Sequence, residues 1–421
     1  MSSPYRSIFQ APGTKGFFLA GVVGRMPLSM LGIGVVTMMS QVSGRYDIAG
    51  ALSAVLALSG AVLAPYTSRL VDRHGQRRVL APAVAVTVLA VLAFLVLVHL
   101  DAPDWTLFVC MAAAGVTPSL GNMTRARWSE LYRDSPLMHT AFSLESVFDE
   151  VVFIVGPILS IGLCTVWFPA AGPLLAVVFL TVGGYLLVAQ RATEPPPHPQ
   201  EGKSGPGVLR SPGLKVLIST FAAIGVVFGA VDVTTVAFAD ERGHKAAASL
   251  VLAAYALGSC VAGIVFGTLR PGRPPHQRFL LGVGFLAVTT LLPLSADNLW
   301  ILAVALFVSS LAVAPTLVTA MSLVERFVPR GQLTEGMTWT STGLTLGVSI
   351  GASAAGVLVD SFGARTAFAL PGGAAVLALL IAFLCRRRLR PVPQAPGTPP
   401  RAPGTGEHAS TERNPDQGQL A

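Results

Sequence analysis

The chain has 421 residues, of which 52% are hydrophobic and 12% are charged, with a formal net charge of +8. Soluble domains carry roughly 25% charged residues, so this sequence lacks the charge that a soluble fold of this size would need. The long apolar stretches also exclude a disordered chain, and the basic residues lie in short segments between those stretches rather than in a nucleic-acid-binding patch. The composition therefore predicts an all-α membrane protein with room for about a dozen helices of about 20 residues.

Apolar stretches bounded by charged or turn residues predict twelve transmembrane helices. The first six cover residues 16–40, 47–67, 79–100, 105–125, 138–165 and 171–190. The second six cover residues 214–238, 247–269, 279–296, 299–323, 335–358 and 365–385. Proline, glycine and charged residues at 191–213 predict a cytoplasmic linker, and the composition of 389–421 predicts a disordered cytoplasmic tail.

The distribution of basic residues predicts the orientation. With the N-terminus inside, the inner segments hold 24 lysines and arginines and the outer loops hold four. Cytoplasmic loops of membrane proteins are enriched in these residues, so both termini are expected in the cytoplasm. The first apolar stretch is too long for a cleavable signal peptide and is expected to stay as a helix. We expect a monomeric multi-pass protein of the inner (plasma) membrane.

The two halves of the sequence repeat each other weakly at an offset near 197 residues. Pro118 in the fourth predicted helix precedes Arg133 by fifteen residues, and Pro315 in the tenth precedes Arg330 by the same interval. A six-plus-six repeat around a linker is the layout of a two-lobed transporter. The sequence therefore predicts an N-terminal lobe at 1–190 and a C-terminal lobe at 214–388. The alternative is a chance match between apolar helices of similar composition.

The segment 68–78 between the second and third predicted helices is short and basic, with one acid and one glycine. Gly75 supplies a positive φ for a tight turn between antiparallel helices. Asp72 either pairs with Arg73 or Arg77 or meets the N-terminus of a neighbouring helix. Such contacts would form a latch that holds the cytoplasmic side closed. The alternative is a basic loop that only sets the membrane orientation.

This segment resembles the loop signature of the major facilitator superfamily. The matching residues of the proposed gating loop are Leu70, Asp72, Arg73, Gly75 and Arg77. Ser68 stands where the family usually has glycine, and the counterpart in the second half, Gly267 to Arg270, lacks the acid. The resemblance implies two six-helix lobes that rock around a central small-molecule site, without a cofactor.

The fifth predicted helix partly resembles the antiporter signature of drug exporters, which centres on a Gly-Pro pair. Here the pair is Gly156 and Pro157, but the next glycine comes later than the family prefers. Proline removes a helix hydrogen bond and glycine permits bending, so a kink is expected here. A plain kinked packing helix would look much the same.

Five ionisable residues fall within the apolar stretches: Arg25, Glu145, Asp149, Glu150 and Asp232. Each would cost about 2.5–3.5 kcal/mol at a bilayer centre, so each must face a cavity, a partner or the interface. Glu145 lies nearest the cytoplasmic end and is expected to be hydrated. The proton-coupling candidates are therefore Asp149, Glu150, Arg25 and Asp232, and the alternative is an ion pair of Arg25 with Asp149 or Glu150 that only joins two helices.

Further candidates lie around the pathway. Arg125, Glu130 and Arg133, at the inner end of the fourth predicted helix, are expected to form a charge network with Asp72, or only to set the orientation. Four side chains of the fifth and eleventh predicted helices are candidates for the substrate cavity, with helix packing as the alternative: Phe142, Phe153, Trp339 and Thr342.

The sequence favours a transporter over an enzyme. It has no phosphate-binding loop, no zinc motif and no nucleophile elbow, and its four cysteines lack metal-site spacing, so neither a metal nor a cofactor is expected. The hypothesis is a secondary transporter that exports an amphiphilic or drug-like molecule in exchange for protons. The alternatives are an importer or a sugar or metabolite exporter of the same fold, and a non-transporting membrane receptor.

Overall fold

The computed structural model describes residues 4–197, 207–244, 247–269 and 272–390, and within them every regular element is a helix. We call the residues up to 197 the first half and those from 207 the second half. The helices of the first half are α1 (Pro4–Ile8), α2 (Thr14–Arg25), α3 (Pro27–Val42), α4 (Tyr46–His74), α5 (Gln76–His99), α6 (Asp104–Ala114), α7 (Leu120–Tyr132), α8 (Leu137–Val166) and α9 (Ala171–Ala189).

The second half has the same character. Its helices are α10 (Pro212–Asp240), α11 (Ala248–Thr268), α12 (Pro275–Thr289), α13 (Leu299–Ser310), α14 (Val313–Phe327), α15 (Leu333–Phe362), α16 (Ala364–Ala367) and α17 (Ala369–Leu384). Short 3₁₀ turns at Arg191–Thr193 and Val208–Arg210 fall within the predicted linker. The predicted tail, from residue 391 onward, and the middle of the linker lie outside the described residues.

Among the described residues, eleven helical segments are long and apolar enough to cross a membrane. The all-α membrane fold is thus confirmed. The fourth predicted helix is the exception to a simple span, because α6 is short and residues 115–119 separate it from α7. The hydroxyl of Ser119 caps α7 by accepting a bond from the Asn122 N–H. A count of twelve spans therefore remains a prediction.

Helix α7 continues to Tyr132, well beyond the predicted end at residue 125. Hydropathy falls where Arg125 and Arg127 enter the helix, and both side chains are buried. Arg127 donates to the carbonyl oxygens of Leu187 and Gln190, at the C-terminal end of α9. Buried partners of this kind satisfy the guanidinium inside the bundle, which hydropathy alone does not register.

The helix pair α10 and α15 packs backbone against backbone in the second half. Gly225 and Gly229 of α10 face Gly347 and Gly351 of α15, and a Cβ added at Gly347 would lie 2.0 Å from the carbonyl oxygen of Ala222. Small residues four apart permit this close approach, which replaces side-chain interdigitation in a membrane. The two helices are therefore held as one unit.

One end of the bundle collects the basic turns. We call it the basic end and define it by α1, the α4–α5 turn at Gly75 and the α14–α15 turn at residues 328–332. Gly75 has a φ of 90°, the positive value that the tight turn requires. The described ends of the chain also lie there, since the carbonyl oxygen of Arg388 sits against Gly213 at the start of α10.

Candidate transport pathway

Asp72 joins the two halves at the basic end. Its carboxylate accepts the backbone N–H of Thr334 at 3.2 Å and of Glu335 at 2.9 Å, which are the second and third residues of α15. A carboxylate at this position satisfies unpaired amides and opposes the positive end of the helix dipole. Arg69 lies 3.8 Å from Glu335 and adds an ion pair between the same helices.

A second contact joins α7 to α14. The hydroxyl of Ser129 donates to Glu325 at 2.6 Å, and Arg133 lies 3.8 Å from the same carboxylate. Arg133 and Arg330, the arginines at equivalent positions of the sequence repeat, line one pocket at the basic end together with Glu130. Of the predicted charge network, Glu130 and Arg133 thus lie near Asp72, whereas Arg125 lies elsewhere.

A third contact holds the C-terminal end of α11. Three of its carbonyl oxygens accept hydrogen bonds from the first half: Ile264 from Tyr5 at 2.8 Å, Phe266 from the His139 ring at 2.7 Å, and Gly267 from Thr140 at 2.8 Å. Carbonyl groups in the last turn of a helix lack their i+4 amide partners, so His139 and Thr140 supply partners to Phe266 and Gly267, and Tyr5 adds a bond to Ile264 one turn earlier. Helix α11 is therefore fastened to the first half at the basic end.

The opposite end of the bundle has a different pattern. There, Arg45 pairs with Asp104 at 3.1 Å inside the first half, and Arg365 pairs with Asp297 at 2.9 Å inside the second half. Among the described residues, the ion pairs at this end each stay within one half, whereas those of Arg69 and Arg133 at the basic end cross between halves. The halves are fastened together at the basic end.

A buried ion cluster occupies the first half at mid-helix depth. Arg25 binds both Glu145 and Asp149, and Arg125 binds the second oxygen of Asp149. Glu145 is fully buried and also accepts the indole N–H of Trp128 at 2.7 Å. The expectation of a hydrated Glu145 is therefore wrong, because two neighbouring helices, α2 and α7, supply donors that replace water. Two arginines and two carboxylates balance in charge, which is what a buried cluster needs.

Glu150 points away from this cluster toward the second half. Its carboxylate accepts the hydroxyl of Ser259 on α11 at 2.8 Å. Tyr255, one turn from Ser259, and Asp232 of α10 both lie within electrostatic range of Glu150. In the part of the chain that the structure describes, no arginine or lysine forms an ion pair with Glu150. The charge of Asp149 is thus neutralised by arginines, whereas the charge of the adjacent Glu150 is not.

Comparison with known proteins identifies the family. The family model described as the Major Facilitator Superfamily matches residues 17–292 and 238–413, most of the chain. The chain belongs to the major facilitator superfamily. It is therefore a membrane transporter rather than an enzyme. Among curated proteins, none matches this chain.

Solved structures of other superfamily transporters share the fold. A bacterial homologue of the iron transporter ferroportin, in an outward-facing state, has a TM-score of 0.70 at 16% identity and covers 89% of this chain and 99% of its own. The human organic anion transporter MFSD10 has a TM-score of 0.67 at 15% identity, covering 89% and 100%. The E. coli fucose:proton symporter FucP has a TM-score of 0.65 at 13% identity, covering 87% and 98%. At these identities the likeness concerns the fold alone.

The four predicted cavity residues of this superfamily member are placed differently from one another. Phe153 is 54% exposed and lies three residues after Glu150, on the same side of α8. Phe142 is buried in the hydrophobic core. Thr342 is buried against α4, where it donates to Ala61, and Trp339 bonds Glu335 near the basic end. Of the four, Phe153 alone is exposed beside a carboxylate.

The remaining predicted residues lie around the α4–α5 turn and in α8. Leu70 is exposed on α4, and the backbone N–H of Arg77 donates to Glu194 in the linker at 2.8 Å. The guanidinium Nε of Arg73 is buried beside them. Helix α8 runs through Gly156 and Pro157 without interruption. A Cβ at Gly156 would lie 2.0 Å from the Ser29 hydroxyl, so this glycine permits close packing on α3.

Several residues of the pathway were missed by the sequence analysis. Ser259, Tyr255 and Tyr5 belong to ordinary apolar or terminal stretches, where a single hydroxyl carries no signal. Glu325 was available as an acid next to Arg326 near the end of the tenth predicted helix. Its role as a partner of Ser129 required knowing which helices meet, because the two residues are 196 positions apart.

Proposed function

We propose that this superfamily member exports amphiphilic small molecules in exchange for protons, with Glu150 as the proton-carrying residue. The supporting observation is the contrast between neighbouring carboxylates. Asp149 is held by two arginines, whereas Glu150 meets a serine hydroxyl from the opposite half. A carboxylate that carries protons must exist in both protonation states during the cycle, and ion pairs with two arginines oppose protonation.

The proposed cycle is alternating access between two six-helix lobes, residues 1–190 and 214–388. With the basic end in the cytoplasm, fastening at that end corresponds to an outward-facing state. A proton that enters from outside neutralises Glu150 and releases the substrate. Separation of the basic-end contacts then opens the pathway inward, where Glu150 loses its proton and binds the next substrate. The protein works as a monomer in the plasma membrane.

The groups around Glu150 define what would compete with the proton. Asp149 is the neighbouring charge on α8, and Asp232 contributes a like charge from α10. Helix α11 contributes Ser259, Tyr255 and Cys260. Because the carboxylate of Asp232 has the same sign, it favours binding of a proton or another cation at Glu150.

A second candidate function is transport of a polar metabolite such as a sugar. Exposed hydroxyls recur every four residues along α15, at Thr345, Ser349 and Ser353. Each hydroxyl donates to the carbonyl group one turn earlier, which leaves its oxygen lone pairs available to a ligand. The fucose:proton symporter of the same fold shows that sugar cargo and proton coupling occur together in a neighbour.

Inverted membrane vesicles test the proposal. An inward proton gradient is monitored with a pH-sensitive dye while cationic, neutral and sugar-like compounds are added in turn. Wild type is compared with Glu150→Gln and with Asp360→Asn, which removes an exposed carboxylate near the far end of α15. We expect an amphiphilic compound to discharge the gradient through wild type and Asp360→Asn only. Discharge by sugars alone would favour the second candidate function. Unimpaired exchange by Glu150→Gln would show that another residue carries the proton.

A further inference from the structure

The ionisable residues of the membrane-spanning helices do not all neutralise one another. Arg25 and Arg125 are buried and are bound to Glu145 and Asp149, so these four charges cancel. Of the five ionisable residues first identified in the apolar stretches, Glu150 and Asp232 remain. Both buried arginines are neutralised by carboxylates of the first half, and the two remaining charges are negative.

The two remaining acids lie on helices of opposite halves. Glu150 belongs to α8 of the first half and Asp232 to α10 of the second, and they lie within electrostatic range. Asp232 is exposed although it lies in the interior of a membrane-spanning helix. A carboxylate at such a depth faces water or a partner rather than lipid, because lipid exposure costs several kcal/mol. The space between the halves therefore carries uncompensated negative charge.

Aromatic side chains adjoin both acids. Phe153 lies on the Glu150 side of α8, and Phe228 lies one turn before Asp232. The Phe228 ring packs edge to face on Tyr255, with centroids 6.4 Å apart. The hydroxyl oxygen of Tyr255 is buried and has no hydrogen-bond partner within the described chain. Aromatic faces attract cations and exclude water, and hydroxyl oxygens attract cations through their lone pairs.

We infer that the transported substrate is an organic cation with apolar rings, bound between Glu150 and Asp232. This inference rests on the proposed function for its transport step and adds the charge of the cargo. An anion would meet two like charges, and a neutral molecule would leave both carboxylates without a counter-charge. A proton and the cation would occupy the same carboxylates, so each displaces the other.

Binding to the purified full chain in lipid nanodiscs tests the site without transport. The probes are tetraphenylphosphonium, a cation, and tetraphenylborate, an anion of the same size and shape. Triphenylphosphine oxide serves as the neutral compound. Equilibrium dialysis at pH 8 measures each affinity, corrected with empty nanodiscs for partition into lipid. We expect saturable binding of the phosphonium ion, at least about tenfold tighter than that of either other probe.

Substitutions locate the binding. Glu150→Gln and Asp232→Asn should each weaken phosphonium binding by about tenfold or more, whereas Asp360→Asn should not change it. Binding should also release protons into a weakly buffered medium and weaken at pH 5.5, and both effects should shrink in Glu150→Gln. The comparison of the three probes on the wild-type protein tests the charge of the site even if a variant does not fold.

The outcomes separate this inference from the proposed function. Equal or tighter binding of tetraphenylborate or of the neutral probe would overturn the cation site, as would phosphonium binding that survives both substitutions. Neutral compounds that still exchange for protons in vesicles would then leave the proposed exporter intact. Conversely, selective phosphonium binding at Glu150 and Asp232 without proton exchange would support the cation site and remove the exporter.

Discussion

The carboxylate of Asp72 caps the first turn of α15 by accepting the backbone N–H of Glu335 at 2.9 Å, across 263 residues of sequence. The local sequence allowed either an arginine partner or the N-terminus of a neighbouring helix, and the structure shows the helix N-terminus as a partner. This bond couples the end of α4 to the start of α15, and hence the two halves. Separation of the two halves would break this bond without unfolding either helix, because its acceptor and donors lie on different halves.

Asp72→Asn should loosen the start of α15. An amide accepts hydrogen bonds but lacks the charge that opposes the helix dipole, so we expect a loss of about 0.5–2 kcal/mol at the cap. Hydrogen–deuterium exchange at Thr334 and Glu335 should accelerate by about twofold to thirtyfold. Asp360→Asn is the matched control. Unchanged exchange at these two amides would remove Asp72 from the latch.

Asp149→Asn should destabilise the protein much more than Glu150→Gln. Loss of the Asp149 charge leaves the buried arginines with one carboxylate, which should cost about 3–5 kcal/mol. Glu150→Gln keeps an acceptor for Ser259 and should cost less than about 1.5 kcal/mol. Thermal unfolding in detergent measures both. Addition of Arg125→Gln to Asp149→Asn should restore part of the loss, and additive losses would argue against the ion cluster.

Tyr5→Phe should weaken the fastening of α11 by about 0.5–1.5 kcal/mol, since it removes the donor to Ile264. Burial raises the pKa of Tyr5 to about 12. The stabilisation by the protonated hydroxyl is therefore complete below about pH 10, the ordinary tyrosine value, and is lost as the pH rises to about 12.

The stability gap between wild type and Tyr5→Phe should accordingly stay constant from pH 6 to 9 and narrow between about pH 10 and 12. Thermal unfolding at each pH measures the gap. Tyr66→Phe changes an exposed tyrosine of α4 and serves as the control. A gap that closes near neutral pH would assign the effect to another group.

Gly347→Ala should disrupt the α10–α15 pair. The added methyl group would lie 2.0 Å from the Ala222 carbonyl oxygen, so the helices must separate, at a cost of about 1–3 kcal/mol or more. Gly356→Ala on the same helix meets nothing within 4 Å and should be neutral or slightly stabilising. Thermal unfolding and the yield of monodisperse protein compare the two. Equal behaviour would mean that the close approach is dispensable.

The sequence predicted the α4–α5 turn better than it predicted the partners of the charged residues inside the membrane. Gly75 and Asp72 belong to a local motif, so their spacing was sufficient to place a turn and an acid at a helix end. Arg125 was assigned to the same network because it lies with Arg133 at the inner end of the fourth predicted helix. Its side chain instead reaches Asp149, since residues eight apart on a helix lie more than two turns apart along its axis.

The sequence by itself determined the superfamily and the helical membrane fold, because each depends on local hydropathy or on a short motif. Only the tertiary structure decided between Asp149 and Glu150. They are consecutive residues with the same type of charge, yet about 100° of helix rotation turns one toward Arg25 and Arg125 and the other toward Ser259 of the opposite half. Burial and partners set the state of a carboxylate, and distant helices supply both.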